Sequence, residues 1–192
     1  MKKILLSLLL ISSMSVSAMA QSGDHMSFKG IAMEGRVLDF ARKLTTRGYT
    51  AVSSGTSSYL SGDFAGYRNC TIELEGTDVD YVNTVTVFFP QQFSWTELEH
   101  NYMNIKQILM DKYKSASIVE ESFNSNYTDP TTDRSKFYEV QLGHCQYRTI
   151  FKGRKGEIVL EIRHRDQSCF VALSYIDYAN QALYHKKVMG DL

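Results

Sequence analysis

The side chains best suited to chemistry in this chain are five histidines (His25, His100, His144, His164, His185) and three cysteines (Cys70, Cys145, Cys169). A zinc site would need them at ligand spacing, as in H-E-x-x-H or C-x-x-C, because four donors must converge on one ion. No such spacing occurs. There is also no G-x-S-x-G elbow, no G-x-x-x-x-G-K-[ST] loop and no G-x-G-x-x-G fingerprint. A cysteine nucleophile needs a base and some exposure. All three cysteines fall instead on the apolar parity of their strands, where a thiol packs as a small hydrophobe. The residues therefore assign no catalytic group, no metal and no cofactor.

Weaker constellations reduce to ordinary structure. Glu157 and Glu161, four apart on a strand, sit about 13 Å from each other, beyond the roughly 5–9.5 Å that paired-carboxylate glycosidases use. Glu75-Gly76-Thr77-Asp78-Val79-Asp80 lacks the spacing and closing glutamate of a calcium loop and reads as a solvated hairpin turn. The basic runs 152–155 and 163–165 belong to turns at opposite ends of one strand. The aromatic run from Phe88 to Trp95 reads as core anchors around a helix start, with a sugar or partner platform as the alternative.

One surface remains as a candidate site. Joining strands 144–151 and 156–163 through a 152–155 turn pairs Tyr147 with Leu160 and Cys145 with Ile162. The opposite face then carries His144, Gln146 and Arg148 against Arg163, Glu161 and Val159. A one-residue slip would mix core with solvent, so the register is expected to follow the clean face. The same argument through a 164–167 turn pairs Ile162 with Cys169, Leu160 with Val171 and Ile158 with Leu173. Cys145 and Cys169 then lie two strand spacings apart, near 10 Å, too far for a disulfide. His144, Gln146, Arg148, Glu161 and Arg163 form the partner-binding candidate. The neutral alternative is a ladder of exposed ion pairs worth about 0–1 kcal/mol each.

The elements that must carry this face are legible in outline. Val37, Phe40, Ala41 and Leu44 make one apolar stripe of a helix over 35–47, stopped by Gly48. Strands follow near 49–53, 58–64, 67–74 and 81–89. Ser94-Trp95-Thr96-Glu97 is a capping box opening a second helix to about 113, with Leu98, Tyr102, Ile105 and Leu109 buried. Strands near 116–123, 136–142, 144–151, 156–163 and 168–176 come next, with 124–135 the one long loop and a final helix possible from Asp177. The expected fold class is α+β: two helix-plus-four/five-strand pseudo-repeats, about 28–93 and 94–176, forming a largely antiparallel sheet covered by helices, with a 177–192 tail.

Residues 1–20 read as a signal peptide: Lys2 and Lys3, a short apolar run, then Ala18-Met19-Ala20 as the cleavage site. The apolar run would reach only about 12 Å as a helix, against a hydrocarbon core of roughly 30 Å. No cysteine stands at the cleavage point to carry a lipid anchor. Gln21 to Ser27 reads as a flexible lead, and 28–192 as a single domain. Cleavage leaves 19 basic against 21 acidic residues, a formal charge of −2. That offers no electrostatic case for nucleic acid or anionic membranes.

Phe28-Lys29-Gly30-Ile31, Gly35, Phe40, Lys43-Leu44 and Gly48, then Gly62-Asp63-Phe64-Ala65-Gly66, carry a resemblance. So do Trp95, Leu98, Tyr102, Lys106, Leu109 and Lys112-Tyr113 in the second helix. Together they resemble small exported proteins of gut Gram-negative anaerobes that have no assigned activity. That resemblance implies a periplasmic or extracellular protein and brings no catalytic residue. At the level of fold alone, the tandem order is similar to the beta-lactamase inhibitor protein and to small outer-membrane assembly lipoproteins. The expected function is a soluble binding module rather than an enzyme, protein-interaction or inhibitor-like. The alternatives are a small-ligand or glycan binder using a pocket between helix and sheet, and a hydrolase with a scattered site.

Overall fold

The computed structural model describes residues 25–52, 58–76, 81–124 and 129–190. The expected signal peptide, the tip of the 75–80 turn and the middle of the 124–135 loop lie outside the described residues.

The chain opens with a short ribbon, β1 (Ser27–Phe28) and β2 (Ile31–Ala32). Helix α1 (Val37–Thr45) buries Val37, Phe40 and Leu44, the stripe its spacing predicts, and Gly48 at φ 91° ends the turn that follows. Strands β3 (Thr50–Val52), β4 (Ser58–Phe64), β5 (Tyr67–Gly76) and β6 (Val82–Phe88) form an antiparallel meander. Helix α2 (Trp95–Tyr113) follows, then β7 (Ile118–Phe123), α3 (Asp133–Gln141), β8 (Cys145–Lys152), β9 (Gly156–Arg165), β10 (Ser168–Asp177) and α4 (Tyr178–Gly190). The eight longer-range strands make one antiparallel sheet in the order β3-β4-β5-β6-β10-β9-β8-β7. The last strands of the two meanders, β6 and β10, meet at its centre.

One face of the sheet carries the core. Leu60, Ile72, Leu74, Val85, Val87, Val171, Leu173, Leu160 and Ile162 point to the same side, under α1, α2 and Val140 of α3. Trp95, Leu98, Tyr102, Ile105 and Leu109 of α2 are buried there, each contributing roughly 1.5–3 kcal/mol of transfer free energy before entropy is counted. The Tyr102 and Thr149 hydroxyls, both buried, satisfy each other at 2.6 Å. The three cysteines are free thiols: Cys70 and Cys169 are fully buried and Cys145 is half-buried.

The α2 start departs from the expected box in one bond. Ser94 Oγ accepts from the Glu97 N–H at 3.3 Å, but the Glu97 carboxylate takes the Phe93 N–H at 3.4 Å and the Ser94 hydroxyl at 3.1 Å. Ser94→Ala should still lower stability by about 0.5–2 kcal/mol, because the Glu97 N–H loses its acceptor. Chemical denaturation checks this, and an unchanged midpoint would mean the helix does not depend on that cap.

Two expectations need correction. The strand expected at 136–142 is the helix α3. Phe137 and Val140, three apart, turn inward, and Thr132 with Ser135 closes a reciprocal capping box. The box escapes the usual signature because serine stands where glutamate is sought. Asp133 then clips α3 to α2, accepting from the Thr96 N–H at 2.7 Å and its hydroxyl at 2.6 Å.

The second correction is register. Parity is as expected, but both C-terminal hairpins are displaced by two residues. Thr149 faces Leu160 and Arg148 faces Glu161, because the β8–β9 turn runs over 153–156 and the strands pair as far as Lys152 and Glu157. Leu173 faces Leu160 and Val171 faces Ile162, because the β9–β10 turn is two residues, with Asp166 at φ 54°. Asp tolerates that left-handed conformation better than most side chains.

Of the polar lead only 25–27 is described, and it is hydrogen-bonded to the end of β10. Asp177, fully buried at the end of β10, accepts from the Met26 N–H at 2.5 Å and the Asn180 N–H at 2.9 Å, and meets His25 Nδ1 at 3.2 Å. Asn180 in turn donates to the Met33 and Val82 carbonyls at 2.7 and 2.8 Å. This cluster ties 25–27 to both halves of the sheet.

Candidate functional site

The other face of the sheet is not covered by α1, α2 or α3. Helix α4 leaves from the end of β10, where the Tyr178 hydroxyl donates to Glu157 of β9 at 3.1 Å and the Asn180 amide donates to the Val82 carbonyl of β6 at 2.8 Å. Along the middle of the face run Phe88, Thr86 and Thr84 of β6 beside Ala172, Ser174 and Ile176 of β10. Thr86 and Ser174, both buried, bond each other at 2.9 Å. Phe88, Phe170 and Ala172 make a small apolar cluster separate from the main core, with the two rings edge to face at 5.2 Å.

Charge is laid over that cluster. The Arg165 guanidinium sits 4.9 Å from the centre of the Phe88 ring and 3.4 Å from a Glu73 oxygen. Arg163 stands opposite Phe170 and binds Glu161, its Nε donating to Oε1 at 2.6 Å. Farther across, Glu120, Arg148 and Glu161 are aligned on β7, β8 and β9, with signs alternating. Beside Glu73, burial first and then the Glu73 charge push the Glu75 carboxyl above its ordinary range.

Arg148, Glu161 and Arg163 therefore share one surface, as the sequence predicts, and Gln146 joins them opposite Ser122. His144 does not. It precedes β8, where its ring binds Glu139 of α3 at 2.7 Å and its N–H donates to the Glu139 carbonyl at 2.9 Å. The pairings of His144 with Arg163, Gln146 with Glu161 and Arg148 with Val159 are replaced by the two-residue displacement. Phe170 and Arg165 were missed. The signal was an apolar residue on the polar parity of β10 with arginines two apart on the neighbouring strand.

The described thiols are shifted by burial. Burial pushes the Cys70 thiol up to about 11 and that of Cys145 to about 12, and raises Cys169 as well. A thiol so held is a poor nucleophile at neutral pH. Burial likewise raises Tyr49 to about 12. Among the described residues no three His, Cys, Asp or Glu side chains converge as a metal site. No helix among them is long and apolar enough to cross a membrane.

On the helix side, a cavity of about 330 Å³ opens between α2, the β1–β2 turn and the β4–β5 turn, with Leu173 and Tyr175 of β10 in its lining. A second, of about 420 Å³, lies at the β8–β9 turn and takes in His25, Lys152, Arg154 and Lys155. No protein-family model, no curated protein and no solved structure matches this chain.

Proposed function

We propose that the protein is an exported binding module, protein-interaction or inhibitor-like, that engages its partner through the sheet face left open by α1–α3. The observation that carries this reading is the layering itself: three helices on one side, and on the other a broad surface where arginines lie over a small aromatic cluster. Phe88 and Phe170 are only 8% and 9% exposed. They offer no open stacking platform to a sugar, which favours a protein partner over a glycan. The planar guanidiniums of Arg148, Arg163 and Arg165 suit carboxylates on such a partner, and arginine is enriched in interface hot spots. The site centres on Arg165 and Arg163 and extends over Glu161, Arg148 and Gln146.

Two pseudo-repeats fit the strand order, in which α1 and α2 each lead into a four-strand meander whose last strand meets its counterpart. Catalysis forms no part of this reading, and neither does a lipid anchor. Export to the periplasm or beyond rests on residues 1–20. N-terminal sequencing of envelope material should begin at Gln21, and a mature chain retaining the leader would contradict export by this route.

Arg148→Ala and Arg165→Ala test the surface. Arg148 is exposed and the Arg165 side chain is 55% exposed, so the melting temperature should move little in either variant. Retention of an envelope partner on the immobilised protein should fall about tenfold or more. Unchanged retention of the same partner by both variants would make this face a scaffold.

A further inference from the structure

The cavity beside α2 lies on the opposite side of the sheet from the proposed partner surface. It is lined by Phe64, Ile105, Ile108, Leu109, Leu173 and Tyr175, with Lys29 and Lys112 also on its wall. Its volume is at the small end of ligand pockets, which run from about 300 to 1,000 Å³. Half of Ile108 is open to solvent, at 51% exposure, so an apolar entrance stands uncovered beside exposed lysines.

The charge on this wall is of one sign. Among the described residues no Asp or Glu lines the cavity. Among the described residues neither lysine has a carboxylate within ion-pair distance. Lys29 Nζ rests 5.2 Å from the Phe64 ring centre and 6.0 Å from that of Tyr49, and Lys112 Nζ lies 5.1 Å from Tyr113. Aromatic faces hold a cation in place without neutralising it. The two ammonium groups sit on the β1–β2 turn and the α2 surface, on elements that bound the cavity from different sides.

From this geometry we infer that the cavity binds a small amphiphile with an apolar body and a single anionic head, such as a medium-chain aliphatic carboxylate. The chain enters among Ile105, Leu109 and Leu173, and Lys29 and Lys112 meet the head at the mouth. The inference is independent of the open-face reading, because no residue is shared between the two surfaces.

Isothermal titration of the mature protein with decanoate, below its micelle-forming concentration, tests the site. One saturable equivalent is expected. Decyltrimethylammonium, with the same tail and the opposite charge, should bind at least tenfold more weakly. Lys29→Ala with Lys112→Ala should weaken decanoate at least tenfold while leaving the melting temperature of the free protein unchanged, since both side chains are exposed. Ile108→Asp should abolish binding. Absence of decanoate binding overturns the inference. Equal affinity for the two amphiphiles, or an unaffected double-lysine variant, also overturns it, because the cavity would then select no anion.

Discussion

Gly156→Ala should be among the most destabilising single-methyl changes in this protein, lowering stability by about 3 kcal/mol or more. Gly156 opens β9 and pairs with Asp177. A Cβ there would fall well inside 3.0 Å of the Ile176 carbonyl oxygen and of the Met26 sulfur. The methionine can swing away, but the carbonyl belongs to the β10 backbone and can yield only if the central hairpin parts. Overpacking a closed core typically costs about 1–3 kcal/mol, and a backbone obstruction stands at or above the upper end. Against a total of roughly 5–15 kcal/mol for a domain, that is a large loss. Denaturant titration would show it as a shifted midpoint at unchanged slope. A midpoint like that of the wild type would mean that β9 and β10 do not pair in this register.

Asp177→Ala should cost a similar or larger amount by a different route. Its carboxylate is fully buried and is the acceptor for the Met26 and Asn180 backbone N–H groups. Removing it orphans both donors, at roughly 1–3 kcal/mol each, or about 2–6 kcal/mol together. The loss should be felt at both ends of the chain, since Asn180 also holds the Met33 and Val82 carbonyls. Limited proteolysis should find the segment before α1 cut earlier in Asp177→Ala than in wild type. Asp177→Asn, which keeps one acceptor oxygen, should fall between the two. Resistance and midpoint both unchanged in the alanine variant would show that the N-terminal ribbon is held by something else.

The two positions mark where sequence reading stops. Helices α1 and α2 were legible because their buried residues recur at three and four, and α2 announces its start with Ser94. Strand parity in β8, β9 and β10 was legible because slipping by one residue would expose a whole apolar row. Slipping by two exposes nothing, so hydrophobic pattern cannot distinguish the two registers. The turns decide, and both were placed differently from the pattern's simplest closure: 153–156 in one hairpin, and a two-residue turn through Asp166 in the other. Helix α3 was misread because a short segment with few apolar residues satisfies a period of two nearly as well as 3.6. Its cap is Thr132 and Ser135, a pair with little sequence signal.

The candidate surface was legible in the same measure. Arg148, Glu161 and Arg163 followed from parity alone, and parity survived the displacement. His144 failed because it sits before the first residue of β8, where a neighbouring helix supplies a better partner in Glu139. Phe170 and Arg165 depend on β10 lying between β9 and β6. That juxtaposition brings Arg165 over Phe88 and within reach of Glu73, ninety-two residues away in sequence. No local pattern encodes it.

The most direct test of the open-face account is site-specific photocrosslinking in cells that produce the protein. A photoreactive residue at Thr71, exposed on the open face opposite Phe88, should give an adduct of one discrete mass. The same residue at Gln107, exposed on α2 on the other side, should give none. The account predicts that Arg165→Ala removes the Thr71 adduct while leaving the protein folded. An adduct formed from Gln107 and not from Thr71 would place the working surface on the helices and contradict it.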